Sequence, residues 1–330
     1  MRQRFRLIAT LALAIAGAYA TWLTEGQAQD RYPNRPIRLL VASAPGGVHD
    51  VIARLWADGI KSSLGTMVVD NRGGGGGTIG VVEGARAAPD GYTLLLGSNS
   101  THILVPLIAK QPGFDPIKDF ELATVFSITS TAIAVHPGSP YRTLKELIAA
   151  AKADPGKLSY AHAGVGAISH VAGEMFKQLA GGLDVLPVPY KGMGPAQMDV
   201  VNGTVSMFVP NITGAVIGLH TGGKIRILAV NAPTRHHGMP DVPTAIEAGL
   251  PGMITQNFFG IYAPAGTSKA VLDRVNEATQ QALADKDFQQ RLSNAAFDPV
   301  PGLGPDKSRA YAADEFTRWR KVVDAAKIRE

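Results

Sequence analysis

Two glycine turns in the 330-residue sequence combine residue types that can bind an anion. The first, Pro45-Gly46-Gly47, follows an apolar run at residues 37–42 and precedes a helical pattern with Asp50 in its first turn. The second, residues 162–170, follows a predicted strand at 158–161. The first N–H groups of a helix have no acceptor within the helix, and glycine lets a ligand approach the backbone closely. Each turn is therefore a candidate anion site, although an ordinary connecting loop would fit the first turn equally well.

Other motifs give little support for catalysis. Ser169 and Ser98 lie in polar turns, but no G-x-S-x-G motif surrounds either of them. Gly164 and Gly166 lack the third glycine of a dinucleotide fingerprint, and the sequence contains no H-E-x-x-H zinc motif. We therefore predict a protein that is not an enzyme and has no cofactor or metal. A secreted α/β hydrolase that uses Ser169 or Ser98 is kept as the alternative.

The first 28 residues have the composition of a secretory signal peptide. Three arginines precede the apolar stretch 7–20, and small residues at 26 and 28 favour cleavage after Ala28, with Ala20 as the second choice. The sequence has no cysteine, which excludes a lipidated N-terminal cysteine, disulfides and thiolate metal sites. We predict a periplasmic protein that is cleaved and not lipidated.

Charge gives little guidance to the ligand. Removal of residues 1–28, which contain three arginines and Glu25, lowers the formal net charge from +5 to +3. Such a weak positive charge is compatible with an anionic ligand. No cluster of lysine and arginine points to nucleic acid, which we exclude as a partner.

The order of elements predicts an α/β protein with two doubly wound, Rossmann-like lobes. Two successive rounds of strand-helix units are followed by helices at residues 269–283 and 307–326, which we expect to pack on the first lobe. A short helix is also predicted at 245–248. The predicted domains are residues 29–131 plus 257–330 for lobe 1 and 132–256 for lobe 2. A hinge between them would let the lobes close on a ligand in the cleft.

Ten ordered segments resemble one known family over essentially the whole chain after residue 28. They include Pro45-Gly46-Gly47-Val48-His49-Asp50, Pro89-Asp90-Gly91-Tyr92-Thr93 and Ala263-Pro264-Ala265-Gly266-Thr267. The others are residues 32–37, 71–80, 170–174, 188–192, 195–203, 240–244 and 247–252. The sequence resembles the Bug-type extracytoplasmic solute receptors, the substrate-binding proteins of tripartite tricarboxylate transporters.

The resemblance implies a type II periplasmic-binding-protein fold and a receptor without catalytic activity. Such receptors bind small carboxylates and related solutes, often between two strand-to-helix loops, which here would be residues 45–50 and 162–169. Partners would be membrane transporter subunits or a sensor, including the case of a receptor without its own transporter, and we expect a monomer. The ligand could be a dicarboxylate, an aromatic acid or an amino acid. The predicted ligand-binding residues are Gly46, Gly47, His49, Asp50, Ser98, Thr101, His162, Gly164, Gly166, Ala167, Tyr190 and Thr213.

Three departures from the family pattern affect this site. Gly73 replaces a usual proline, and Phe258 with Phe259 stands where tryptophan is frequent. His162 and Ala167 replace small hydroxyl residues around the second turn. From its ordinary pKa, His162 would be expected to add a cation near pH 6.

Overall fold

The protein contains two mixed β-sheets, each with helices around it. The structure, a computed structural model, describes residues 32–328. The first sheet consists of β1 (Ile37–Val41), β2 (Met67–Asn71), β3 (Thr93–Ser98), β4 (Phe120–Ser130), β10 (Gln256–Pro264) and β11 (Asp298–Pro299). The second sheet consists of β5 (Ala132–Val135), β6 (Ser159–His162), β7 (Leu186–Pro189), β8 (Met207–Phe208) and β9 (Arg226–Val230). This architecture confirms the predicted α/β class.

The helices lie mostly between successive strands. Those before residue 180 are α1 (Val48–Gly59), α2 (Lys61–Leu64), α3 (Thr78–Ala85), α4 (Val105–Ile108), α5 (Leu144–Ala153) and α6 (Ile168–Leu179). Those after it are α7 (Met193–Val201), α8 (Gly214–Thr221), α9 (Lys269–Ala284), α10 (Lys286–Asn294) and α11 (Pro305–Ala325). A π-helix at Asn99–Leu104 joins β3 to α4, and a short 3₁₀ segment at Gly75–Gly77 precedes α3. Among the described residues, no helix is long and apolar enough to cross a membrane.

Strand order places the loops of interest at one edge of each sheet. In the first sheet the order is β11-β4-β10-β3-β1-β2, and β1 runs parallel to both β2 and β3. In the second the order is β7-β6-β8-β5-β9, and β6 runs parallel to β7 and β8. Parallel neighbours end at the same edge, so the loops that follow them lie side by side there.

The two sheets are joined by a buried polar junction. β4 ends at Ser130 and β5 begins at Ala132, so Thr131 alone separates the two sheets along this part of the chain. The Thr131 N–H donates to the Thr255 carbonyl at 2.9 Å, and the Asn231 N–H donates to the Thr131 carbonyl at 2.8 Å. The Asn231 amide also donates to Thr131 Oγ1 at 2.8 Å, and the two threonine hydroxyls are hydrogen bonded to each other. These three side chains are completely buried, so the junction is tightly specified.

The charged residue in the first apolar run belongs to an ion-pair network. Arg38, the one charged residue of β1, contacts Asp70 at 2.6 Å and Glu83 at 2.5 Å. Arg72 contacts the same two carboxylates at 3.3 and 3.5 Å. The network ties β1, β2 and α3 together while the other residues of β1 remain in the core.

The C-terminal helices pack mainly on the first sheet, as predicted. Trp56 of α1 donates its indole N–H to Thr279 of α9 at 3.1 Å. On α11, Trp319 and Val323 are fully buried in the core of the first sheet. The neighbouring Val322 packs against the cores of both sheets. Helix α11 therefore also contacts the second sheet, which was not predicted.

The predicted helix at residues 245–248 is wrong. Thr244 and Glu247 form a reciprocal pair, in which the Glu247 N–H donates to Thr244 Oγ1 at 3.0 Å and the Thr244 N–H donates to Glu247 at 2.8 Å. The turn ends at once because Gly249 has a φ of +94°, a left-handed conformation that stops a helix. Helices α8 and α10 and strand β11 were not predicted. The assignment of residues to two lobes stays a prediction.

We predict that Gly97→Ala destabilises the first sheet. A Cβ at Gly97 would collide with the Tyr262 ring and lie 2.7 Å from His102 Cε1, where these two rings stack with centroids 3.9 Å apart. The free energy of unfolding should fall by about 1–3 kcal/mol, as measured by urea denaturation. Gly218→Ala in α8 is the control, since a Cβ there meets nothing within 4 Å. An equal effect of the two substitutions would contradict the packing argument.

Candidate functional site

The loops that follow β1, β2 and β3 contact one another through glycines. A Cβ at Gly73 would lie 3.1 Å from the Ala44 nitrogen, so the loops after β1 and β2 are in close backbone contact there. A Cβ at Gly77 would lie 3.1 Å from both the Ala42 oxygen and Thr101 Cγ2. Gly77 also has a φ of +102°, which favours glycine. The predicted first turn and the Ser98–Thr101 region therefore belong to one cluster of loops.

The second predicted turn, which follows β6, reaches this cluster from the second sheet. A Cβ at Gly76 would lie 3.1 Å from the Val165 oxygen, and one at Gly166 would lie 3.3 Å from Val105 Cγ2. The N–H of Ile168, the first residue of α6, donates to Ser100 Oγ at 3.2 Å. The structure thus brings the two predicted turns to one region between the sheets.

Asp50 holds the first turn in its shape. Its carboxylate is 5% exposed, accepts the Gly46 N–H at 2.8 Å and accepts Arg54 Nε at 3.0 Å. Burial alone would raise the pKa of Asp50, but hydrogen bonds from Arg54, the Gly46 N–H and Asn71 outweigh burial and lower it. Gly46 itself has a φ of +76° and is exposed, while Gly47 is partly buried. Asp50 is therefore a positioning residue for the turn.

The helices that begin at this edge lack the usual side-chain caps. Helices α1, α3, α6 and α7 start after Gly47, Gly77, Ala167 and Gly192, and none of these residues can cap with a side chain. By contrast, α5, α9 and α10 are capped by Thr143, Ser268 and Asp285. Two of the first-turn N–H groups already have acceptors, because Thr78 donates to the Gly75 carbonyl and Ile168 to Ser100 Oγ. A first-turn N–H group without an acceptor can bind one from outside the helix, and the helix dipole favours a negative charge there.

Thr213, another predicted site residue, differs from those four. It follows β8 at the corresponding edge of the second sheet, and its hydroxyl accepts the Val216 N–H at 3.3 Å as the cap of α8. The sequence did not predict this helix. The Thr213 side chain therefore caps its helix, whereas the residues that precede α1, α3, α6 and α7 do not.

A chain of side-chain hydrogen bonds lines the first-sheet side of the site. His49 Nε2 lies 2.8 Å from Ser98 Oγ, Ser98 Oγ lies 3.3 Å from Thr101 Oγ1, and Thr101 Oγ1 lies 2.9 Å from His102 Nδ1. Ser98 and Thr101 also form the reciprocal cap of the π-helix. Burial lowers the pKa of His49 to about 4 and that of His102 to about 3. Both rings are neutral at pH 7.

His162 is buried and stacks on His170, with ring centroids 4.4 Å apart. Burial lowers the pKa of His162, against a smaller raising effect of its hydrogen bond with the Gly164 backbone and of Glu174. Burial therefore disfavours the cation that the ordinary pKa of histidine led us to expect near pH 6. Burial also lowers the pKa of His170, to about 4. Neither histidine adds a positive charge to the turn at neutral pH.

Tyr190 lies beside the second turn but directs its hydroxyl elsewhere. Its hydroxyl donates to Asp199 Oδ2 at 2.6 Å, and this hydrogen bond raises the pKa of Tyr190 to about 12. A Cβ at Gly164 would lie 3.5 Å from the Tyr190 backbone oxygen, so the loop after β7 lies against the second turn. Ser100 was not among the predicted site residues, although it lies within the polar cluster at residues 98–102 and contacts α6. The ligand contacts assigned to the twelve candidate residues stay predictions.

The serines proposed for the alternative hydrolase have different surroundings. Ser169 Oγ accepts the Ala163 N–H at 3.0 Å and so closes the second turn. Ser98 does contact His49, but an imidazole with a pKa of about 4 is a weak base at neutral pH. Within residues 32–328 no group of three or more His, Asp or Glu side chains is placed to hold a metal ion.

Comparison with known proteins decides the family. The sequence model described as "Tripartite tricarboxylate transporter family receptor" matches residues 52–328. The chain belongs to this receptor family. Protein BugT of Bordetella pertussis is 34% identical over 320 residues, which cover 96% of this chain and 96% of BugT. The resemblance drawn from the ten segments is thereby confirmed.

Solved structures of the receptor family have the same fold. Periplasmic binding protein BugD is 33% identical with a TM-score of 0.84, and the match covers 90% of this chain and 99% of BugD. Rpa4515 of R. palustris, solved with adipate, is 31% identical with a TM-score of 0.86, over 90% of this chain and 99% of that one. The fold is thus that of periplasmic binding proteins, and the family consists of solute-binding receptors.

Replacement of Asp50 tests its role in the first turn. We expect Asp50→Ala to lower the free energy of unfolding by about 1–3 kcal/mol, because it removes a nearly buried, charge-assisted hydrogen bond to Gly46. Urea denaturation measures the change. Asp58→Ala on the same helix is the control, since the exposed pair of Asp58 with Arg291 should contribute at most about 1 kcal/mol. If the control is the more damaging variant, Asp50 does not hold the turn.

The neutral state of His49 predicts a pH dependence. Its folded pKa of about 4 lies below the ordinary value of 6.5, so the unfolded chain binds this proton first. The stability that neutral His49 contributes is fully present above pH 6.5 and is lost as the pH falls towards about 4. The free energy of unfolding, measured by urea denaturation between pH 4 and 7, should therefore rise more steeply with pH for the original protein than for His49→Gln. Identical slopes would show that His49 titrates normally in the folded state.

Proposed function

We propose that this receptor binds a carboxylate of a small organic acid between its two glycine turns. The turns at residues 45–50 and 162–169 would close on the ligand from two lobes, residues 29–131 plus 257–330 and residues 132–256. The observation that carries the proposal is that the turns before α1 and α6 lie in one region and that neither helix is capped by the side chain of its own N-cap residue. Since the Ile168 N–H donates to Ser100 Oγ, the ligand would bind other N–H groups of the second turn. The adipate bound to Rpa4515 supports the ligand class.

The charge of the ligand would be balanced by backbone groups. His49 and His162 are neutral at pH 7, so neither supplies a cation. Each helix end contributes roughly 0.3–1 kcal/mol through its dipole, and each charge-assisted N–H hydrogen bond about 1.5–3 kcal/mol. Two helix ends and a few such bonds reach about −8 kcal/mol, which corresponds to micromolar affinity. The twelve candidate residues would line or position this pocket.

The proposal includes export and delivery. Residues 1–28 lie outside the described residues, and their composition supports a cleaved signal peptide without a lipid anchor. The family description supports delivery of the ligand to membrane transporter subunits, with a signalling sensor as the other possible recipient. We propose that the receptor acts as a monomer.

Thermal shift and calorimetry of the mature chain, from residue 29, test the proposal. The ligands should be small carboxylates, with the corresponding amides and methyl esters as uncharged controls. A carboxylate at one hundred times its Kd should add about 2.7 kcal/mol to stability and visibly raise the Tm. If only uncharged compounds bind, the anion site is wrong. Turnover of the esters that is lost in Ser98→Ala would instead establish the hydrolase.

A matched pair of glycine variants locates the site. Gly47 and Gly304 precede α1 and α11 in almost the same conformation, with φ and ψ of −74° and 169° against −68° and 175°. Gly47→Val would place a side chain over the first-turn N–H groups of α1, so it should weaken carboxylate binding at least tenfold. Gly304→Val should leave the affinity unchanged. Equal carboxylate affinities of the two variants would show that the ligand does not bind at the first turn.

A further inference from the structure

Asn257 lies on the face of the first sheet that carries the candidate site. Phe259 is paired with Ser98 across β10 and β3, and the His49 ring contacts both of them, 5.5 Å from the Phe259 centroid. Side chains two residues apart on a strand share a face, so Asn257 points to the same side about 7 Å farther along β10. Its partner on β4 is Thr129. Asn257 therefore lies between the loops of the site and the junction of the sheets.

The amide of Asn257 is buried without a partner. The residue is completely buried, yet neither Nδ2 nor Oδ1 makes a hydrogen bond within the described part of the chain. Asn99, by contrast, is equally buried and uses both amide atoms, with Glu315 at 2.7 Å and the Phe258 N–H at 2.6 Å. Leaving a buried amide unpaired costs about 1–3 kcal/mol, so a polar group from outside the chain is expected at Asn257.

Two further asparagines beside Asn257 show the same pattern. Thr129 donates to the Ile212 carbonyl at 2.7 Å, which brings the loop after β8 next to Asn257. In that loop, Asn211 pairs with Thr131, and Asn231 lies on the other side of Thr131. Each of these asparagines has a buried Oδ1 without a hydrogen-bond partner. Amide atoms without partners are therefore found around Thr129 and Thr131, where the two sheets join.

The described strand residues around Asn257 supply no cation for a second carboxylate, and Arg318, which donates to the nearby Ile254 carbonyl, is already paired with Glu315. The side chains on this row of the crossing strands are all uncharged, namely Ser127, Thr129, Thr131, Thr255, Asn257 and Phe259. The nearest helix N-terminus, that of α8, already has its cap in Thr213. A carboxylate buried without a cation or free N–H groups is strongly disfavoured, whereas a group that both donates and accepts hydrogen bonds matches an amide.

We propose that Asn257, with Asn211 and Asn231, forms a distal subsite for an uncharged amide or hydroxyl group of the ligand. The preferred solute would then carry one carboxylate, at the glycine turns, and a neutral polar group at its other end. This inference rests on the proposed function and narrows it from carboxylates in general to one class.

Calorimetry with two matched series of acids tests the subsite. The six-carbon probes are adipamate, 6-hydroxyhexanoate, hexanoate and adipate, and the four-carbon probes are succinamate, 4-hydroxybutyrate, butyrate and succinate. In at least one series, the amide or hydroxyl acid should bind at least tenfold more tightly than both the methyl-ended acid and the diacid. Preference for the diacid or the methyl-ended acid in both series would overturn the subsite while leaving the carboxylate receptor intact. If none of the eight acids binds, the proposed function itself fails.

The role of Asn257 can be tested by a substitution that should keep the receptor stable but reduce its preference for the amide ligand. Asn257→Leu removes an amide that has no partner in the protein, so it should maintain or raise the Tm of the free receptor. Asn99→Leu is the matched control and should lower the Tm, because it breaks two hydrogen bonds. Asn257→Leu should also reduce the preference for the amide over the methyl-ended acid at least tenfold. An unchanged preference would mean that water alone solvates this amide, and the subsite would be refuted.

Discussion

The parallel arrangement of β1, β2 and β3 and of β6, β7 and β8 is the constraint on which the site depends. Parallel strands end at a common edge, so the helices that follow them begin side by side. The N–H groups of their first turns point out of the helix ends. The residue before each of four such helices is glycine or alanine, so it offers no side-chain cap of its own. The proposed anion site would thus depend on backbone orientation, and it would need no cationic side chain.

The histidines illustrate how burial overrides residue type. His49, His102 and His162 are all near the site, and a reader of the sequence would give each of them a pKa near 6.5. Their rings are packed against Phe259, Tyr262 and His170, where a proton would be poorly solvated. At neutral pH they act as uncharged hydrogen-bonding groups. The ionisable residue type was visible in the sequence, but its charge state was not.

Local patterns predicted most of the fold, and long-range contacts account for what was missed. The apolar run of β1 and the glycine turn before α1 are each complete within a few residues. Helix α8 was missed because Gly214 and Gly218 lower its helical propensity. The two turns of the site were predicted because their chemistry is also local. The position of Asn257 was not, since it depends on the pairing of Asn257 with Thr129, far apart in the chain.

Helix α11 connects the two sheets at a third place. The other two are the chain segments that cross between the sheets, Thr131 and residues 231–255. The buried face of α11 is anchored in the core of the first sheet, while Val322 also touches the second core and Arg318 donates to the Ile254 carbonyl beside the junction. In the proposed two-lobed receptor, a rotation of the lobes would have to carry the last turns of this helix or slide the second sheet along them. The helix would then act as a mechanical stop as well as a cover, and it would limit the opening of the proposed cleft.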